Sequence, residues 1–376
     1  MNSAVLAYHS RRDARRRDEL AGPDHAALEL MPNPEARRNA PDADIRVVVQ
    51  ARPDDAADIA ALRAGLLASP ASSSPKFFYD VQGSALFSAI CALDEYYPTR
   101  TEAAIFARDR GDIAAALPQP AQWIDLGCGD CAKSRDWLPV VQPSRFIGVD
   151  IADAWLRTSL AALASEFPHA GRSGSAIEFV GAVTDFTRPF DLHDLLAERP
   201  DSAPVFFYPG SSIGNFAPAD AREFLIAIRE HIAAHPAGDG CLLIGVDLVK
   251  DVAILEAAYD DAIGVTAAFN RNVLRVANRL LEADFDPARF AHRAVFNAAA
   301  SRIEMHLVAR HAHDVRIGAD IRHFQSGEII VTEYSYKYTP EAFASLLVSA
   351  GFSTTPVQRM WTDQRGWFGV FLAEPA

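Results

Sequence analysis

Apolar positions along this chain follow two alternating periods. Short, mainly apolar runs of strand length recur at 123–126, 146–149, 177–181, 204–208 and 240–247. Between them, residues spaced at i, i+3 and i+4 predict helices from Lys133, over 154–167, and from Pro218 to about 234. Strands that are apolar on both faces belong to sheets covered on both sides, so this alternation predicts an α/β fold with a doubly wound parallel sheet. Further on, a helix over 340–350, an extended segment at 357–361 and a strand at 367–373 close the chain. The turn-like Thr362-Asp-Gln-Arg-Gly366 between the last two predicts a terminal antiparallel strand pair.

Upstream of the sheet, residues 54–68 have helical spacing, with Asp54 and Asp55 placed to complement the helix dipole. An aromatic loop, Pro75-Lys-Phe-Phe-Tyr-Asp80, follows. Helices are predicted at 83–94 and 101–116, the second opening on Thr99-Arg-Thr-Glu102, a T-x-x-E capping box. Residues 1–45 carry Arg11-Arg12 and Arg15-Arg16-Arg17 among acids, prolines and alanines without a sustained period, the pattern of a disordered, solvated tail.

Composition narrows the function. With 49% hydrophobic and 23% charged residues in 376, the chain can bury a large core. A net charge of −13 argues against a nucleic-acid surface and directs attention to a small-molecule substrate. No apolar run approaches the roughly 20 residues of a membrane span, and the N-terminus lacks the apolar centre of a signal peptide, so a cytoplasmic location is expected. Nothing in the chain demands a dimer, and a monomer is expected. No metal site is expected either. Cys128-Gly-Asp-Cys131 has no second pair at zinc spacing, and His306, His311, His313 and His323 fall in strands that scatter their faces.

The candidate chemistry begins at Trp123-Ile-Asp-Leu-Gly-Cys-Gly-Asp130, a buried strand running into a glycine turn where backbone can approach a ligand. About 20 residues on, Asp150 ends the next strand and suits the hydroxyls of a ribose. Gly127-Cys-Gly-Asp-Cys-Ala132 also satisfies G-x-G-x-x-G/A, so a nicotinamide dinucleotide and S-adenosylmethionine both fit the turn. Gly210-Ser-Ser-Ile-Gly-Asn215 follows the end of a parallel strand, where open α/β sheets bind ligands. Thr332-Glu-Tyr-Ser335 reads as a strand, which puts Glu333 and Ser335 on one face.

The acid in Ile124-Asp125-Leu-Gly, the strand count and the closing antiparallel pair resemble class I S-adenosylmethionine-dependent methyltransferases. Longer polar blocks resemble one family within them, the histidine-specific Nα-methyltransferases that form hercynine, the precursor of ergothioneine. These blocks are Tyr79-Asp-x-x-Gly-Ser84, Glu95-Tyr-Tyr-Pro-Thr-Arg-Thr-Glu102, Pro209-Gly-Ser-Ser-Ile-Gly-Asn215, Asp247-Leu-Val-Lys250, Tyr259-Asp-Asp261, the run from Gly264 to Asn272, Ile303-Glu-Met305 and Thr332-Glu-x-Ser335. They run in order from about residue 53 to the C-terminus.

The resemblance implies a Rossmann-like methyltransferase domain over 121–248 and 339–376. It also implies a smaller α+β substrate-recognition domain from the leader 46–120 and the insertion 249–338. It assigns Gly127, Lys133, Asp150, Asp185, Phe186 and Gly210 to S-adenosylmethionine, and Tyr96, Asn215, Tyr259, Met305, Glu333 and Ser335 to L-histidine. Tyr79, Tyr96 and Asn215 are implied to align the reacting amine, with Glu333 and Ser335 meeting the imidazole nitrogens. The implied reaction is three in-line transfers of the sulfonium methyl to the α-nitrogen. A methyltransferase for another amino acid or amine, a nicotinamide oxidoreductase and a non-catalytic binding protein remain open on the residues alone.

Overall fold

The computed structural model describes residues 45–50, 55–167, 176–353 and 359–376. The tail expected over 1–45 lies, through residue 44, outside the described residues. A large sheet runs in the order β1 (Arg46–Val49), β5 (Glu178–Val183), β4 (Arg145–Asp150), β3 (Ala121–Leu126), β6 (Ala203–Tyr208), β7 (Cys241–Asp247), β14 (Phe368–Ala373) and β13 (Met360–Thr362). The first six strands are parallel, while β14 and β13 are each antiparallel to their neighbour. This is the doubly wound sheet with a terminal antiparallel pair that the apolar runs predicted, and its strand order is that of a class I methyltransferase.

Strand β1 is additional. Residues 46–49, expected in the substrate-recognition leader, instead extend the edge of the large sheet by pairing with Val180–Val183. Three consecutive valines suit a half-buried pleated surface better than a helix.

Both faces of the large sheet are buried. One carries Ile124, Ile147, Phe206 and Ile244 against α8 (Pro218–Ala233) and α11 (Pro340–Ser349). The other carries Trp123, Phe146, Phe207 and Leu243 against α3 (Tyr97–Ala116), α5 (Leu138–Val141) and α6 (Asp153–Glu166). A short α7 (His193–Ala197) adds Leu195 and Leu196 to the first face. The helix expected from Lys133 is only α4 (Ala132–Arg135), followed by α5. Pro139, in the first turn of α5, has no amide to carry a longer helix through, and buried Trp137 between them stacks on Trp123 at 5.6 Å.

Helix α3 starts four residues earlier than expected, because Pro98 sits in its first turn, where a missing amide costs nothing. The expected T-x-x-E capping box is therefore not a cap: Thr99 and Glu102 are both inside the helix.

The smaller sheet runs β2 (Ala71–Ser72), β12 (Ile329–Tyr336), β9 (Arg302–Ala309) and β8 (Phe290–Asn297), with a hairpin of β10 (His313–Ile317) and β11 (Asp320–Phe324) beside it. Its core joins Met305, Leu307 and Ile330 to residues of α1 (Asp55–Leu67), α2 (Val81–Cys91), α9 (Val252–Tyr259) and α10 (Val265–Leu281). Helix starts are fixed by side chains. Asp80 accepts from the Gly83 amide, and Asp261 accepts from the Val265 and Thr266 amides at 2.9 and 2.7 Å. The chain leaves the large sheet after β7 and returns beside its exit, where the Val249 amide donates to the Tyr338 carbonyl at 2.9 Å. The residues between these points are thus anchored against the carboxyl end of β7.

Candidate active site

Strand β3 ends at Leu126 and the chain turns through Gly127 at φ 72° and Gly129 at φ 53°. In this left-handed region a side chain is strained and glycine is not. A Cβ on Gly127 would stand 3.2 Å from Cζ of Phe186, so that ring lies across the turn. The Asp150 carboxylate accepts from the Gly129 amide at 3.1 Å and the Ala152 amide at 3.0 Å. A carboxylate has about four acceptor sites, so two remain for ribose hydroxyls. Asp185, next to Phe186, accepts from the Thr187 amide at 3.0 Å and pairs with Arg188 at 3.5 Å. A turn open to backbone approach, a carboxylate with spare acceptors and a flat ring fit an adenosyl group.

Asp125 has a different task from the one its motif suggests. It is buried and accepts from the Ser134 hydroxyl at 2.7 Å, and Ser134 accepts from the Trp123 indole at 2.9 Å. Burial pushes its carboxyl up to about 7, against the pull of Ser134 and Lys133. It braces the turn from behind.

Lys133 reaches across to the leader. Its ammonium pairs at 2.7 Å with Glu102, whose second oxygen accepts from the Gly210 amide at 2.6 Å. Gly210 is at φ 80°, and a Cβ there would come 2.8 Å from the Lys133 nitrogen. The glutamate expected to cap α3 thus ties that helix to two of the residues assigned to the cofactor.

A second cavity is lined by Tyr79, Phe87, Tyr96, Tyr259, Met305 and Glu333, among others. Its aromatic walls meet edge to face, Tyr79 on Phe87 at 5.6 Å and Tyr96 on Tyr259 at 6.1 Å. Tyr79 is half exposed, whereas Tyr259 and Met305 are buried. On β12 the register slips between Val331 and Glu333, and the Thr332 hydroxyl donates to the Met305 carbonyl at 2.9 Å. That irregularity sets Glu333 directly opposite Met305. Burial pushes the Glu333 carboxyl up to about 7, with Lys337 pulling the other way.

The structure brings Tyr79, Tyr96, Tyr259, Met305 and Glu333 together around this cavity, while Ser335 and Asn215 do not line it themselves. Ser335 is buried, its hydroxyl 2.9 Å from the Tyr259 hydroxyl. Asn215 is exposed at the end of the 3-10 turn Ser212–Asn215 after β6. This turn packs on β12: a Cβ at Gly214 would stand 2.8 Å from the Tyr336 carbonyl and 3.5 Å from the Ser335 hydroxyl.

Behind the cavity lies a charged group that the motif reading did not assign. The Lys337 ammonium donates to the Tyr259 hydroxyl at 2.9 Å and the Ser335 hydroxyl at 2.8 Å, and pairs with Asp247 at 2.8 Å. Asp247, at the end of β7, also accepts from the Tyr97 hydroxyl at 2.8 Å and from Lys250, and its amide donates to Ser211 at 2.8 Å. Burial alone would raise the Asp247 carboxyl, but Lys337 and Lys250 outweigh it and hold it below the usual range. Burial draws Lys250 down to about 8, while Asp247 and Tyr259 keep the Lys337 proton firmly in place. The signal for Lys337 was available: continuing the period of two past Glu333 and Ser335 lands on it.

Among the described residues, three potential metal donors come within reach of one another, Asp191, His193 and His231. His231 is already used, Nε2 accepting from the Leu192 amide at 2.9 Å and Nδ1 donating to the Ala227 carbonyl at 2.7 Å.

Comparison with known proteins agrees with this geometry. The model of the histidine-specific, S-adenosylmethionine-dependent methyltransferases matches residues 58–375. A histidine N-alpha-methyltransferase of Mycolicibacterium smegmatis is 42% identical over 83% of this chain and 93% of its own length. Ergothioneine biosynthesis protein 1 of Schizosaccharomyces pombe is 26% identical over 73% of this chain and 35% of its own length. A 4-dimethylallyltryptophan N-methyltransferase of Arthroderma benhamiae is 25% identical over 77% and 86%. With a glycine turn suited to an adenosyl group and a match spanning both sheets, the chain belongs to the histidine-specific, S-adenosylmethionine-dependent methyltransferase family.

Proposed function

We propose that this chain methylates the α-nitrogen of free L-histidine three times in succession, giving Nα,Nα,Nα-trimethylhistidine (hercynine) for ergothioneine biosynthesis. A cytoplasmic, monomeric enzyme is part of this reading. The observation that carries it is Glu333, a carboxyl with a raised pKa at the wall of a small aromatic cavity, directly across the strand pair from Met305. An imidazole offers such a cavity a flat apolar body and a ring N–H for the carboxylate.

S-adenosylmethionine, when bound, supplies a sulfonium methyl group open to in-line displacement. Gly127, Asp150, Asp185 and Phe186 hold the adenosyl end in this reading, with Lys133 and Gly210 fixed beside it through Glu102. Tyr79, Tyr96 and Asn215 align the acceptor amine. Burial raises the Tyr79 and Tyr96 hydroxyls above the usual phenol range, so they hold their own protons and can orient an amine without protonating it. The first and second transfers each leave S-adenosylhomocysteine and a protonated amine, so repeated transfer needs the spent cofactor exchanged and that proton lost while Glu333 keeps the ring clamped.

A second reading, another amine as acceptor, draws on the relative named for 4-dimethylallyltryptophan. An indole has one N–H and no second ring nitrogen, so Glu333 alone does not reject it. Incubating the protein with methyl-labelled cofactor and a panel of free amino acids, tryptophan and histamine included, separates the two. Label entering histidine alone supports the first reading; equal or greater transfer to another amine overturns it.

A further inference from the structure

Lys337 is absent from the motif blocks, yet its ammonium bonds the hydroxyls of both Tyr259 and Ser335. Its side chain is 1% exposed, so it cannot itself touch a ligand. What it can do is fix the direction of the hydrogen bonds in front of it. The Tyr259 and Ser335 hydroxyls have two protons between them and bond each other at 2.9 Å, which spends one. Lys337 donates to both oxygens, at 2.9 and 2.8 Å, and an ammonium never accepts. If Tyr259 donates to Ser335, the serine oxygen is saturated by Tyr259 and Lys337, and its proton is left over. If Ser335 donates to Tyr259, the tyrosine oxygen is saturated and the tyrosine proton is left over. In either arrangement the oxygen bearing the free proton has its acceptor sites filled.

We infer that Lys337 is a positioning residue that makes the Tyr259–Ser335 hydroxyl pair an obligate donor to an unprotonated acceptor atom of the amino-acid substrate, a bare ring nitrogen or a carboxylate oxygen. This rests on the proposed histidine pocket. It assigns the pair the role opposite to that of Glu333, which in its ionised form only accepts. The two together select a ring that presents N–H on one side and a bare nitrogen on the other. Asp247 is the anchor that keeps Lys337 charged, and through its β7 position it couples this polarity to the sheet carrying the cofactor turn.

The test is a kinetic cycle with Lys337→Met in two backgrounds, wild type and Tyr259→Phe/Ser335→Ala. Calorimetric binding of S-adenosylhomocysteine reports the fold in each variant. Asp247 keeps Lys250 and Tyr97 as partners when Lys337 is lost. Should Lys337→Met fail to bind S-adenosylhomocysteine, Lys337→Gln, which keeps a polar head without the charge, takes its place in the cycle. The expected result is a histidine KM raised about tenfold or more with kcat changed far less, and no further rise in the background lacking both hydroxyls. An equal rise in both backgrounds, or a fall in kcat with KM unchanged, overturns the inference and leaves Lys337 a structural residue. If Tyr259→Phe/Ser335→Ala itself binds histidine as well as wild type does, the pocket reading fails along with it.

Discussion

Glu333 concentrates the account at the scale of a single residue. It is the carboxyl on the wall of the aromatic cavity, half-buried, and that burial raises its pKa. Replacing it by alanine removes a charge-assisted hydrogen bond, about 1.5–3 kcal/mol, or roughly a ten- to hundredfold loss in kcat/KM for histidine. Steady-state kinetics of Glu333→Ala checks this, and unaltered histidine kinetics would remove the residue from the pocket. Glu333 was legible because alternation along a strand is a local property. The slip at Thr332 could have reversed its face, and the sequence carries no sign of that slip; it became visible only in the pairing with β9. Glu102 was misread for the same kind of reason. A T-x-x-E pattern describes local bonding, whereas this carboxylate is drawn to Lys133 and the Gly210 amide, 31 and 108 residues away.

At the scale of elements, the end of β7 is the joint of the molecule. Asp247 connects it to α3 through Tyr97 and to the end of β12 through Lys337, the residue that follows it. Removing one partner from a buried ion group leaves an uncompensated charge, so Asp247→Asn should cost about 3–5 kcal/mol at pH 7. The sign with pH follows from the depressed pKa. The contribution of Asp247 is complete above its unfolded value of about 3.9 and is lost as pH falls through the lower folded value. Urea unfolding should therefore show a wide gap between wild type and Asp247→Asn at pH 7 and a narrower one near pH 3. A gap that does not change with pH would mean that the carboxylate charge is not what holds the joint. The block Asp247-Leu-Val-Lys250 stood out in the sequence, but its purpose did not, because its main partners, Tyr97 and Lys337, are 150 and 90 residues distant in the chain.

For the whole molecule, the large sheet was readable almost strand by strand. Parallel strands buried on both faces leave short, nearly continuous apolar runs, and here these alternate with helical spacing. The half-buried edge strand β1 leaves a weaker trace and was placed with the wrong layer, and the short helices around Pro139 were read as one. The cofactor turn alone fitted two cofactors, since a glycine turn and a distant carboxylate record only a nucleotide and a ribose. The acceptor side is assembled from α2, α9, α10, β9 and β12 and from the residues just before α2 and α3, so its residues are ordinary aromatics and acids until the fold gathers them. The central claim is that this gathered cavity presents the α-nitrogen of histidine to the methyl donor. Tandem mass spectrometry of histidine incubated with the protein and S-adenosylmethionine tests it most directly. The account predicts products gaining one, two and three methyl groups, all on the α-nitrogen; a ring-methylated product, or no methylated histidine from protein that binds S-adenosylhomocysteine, would contradict it.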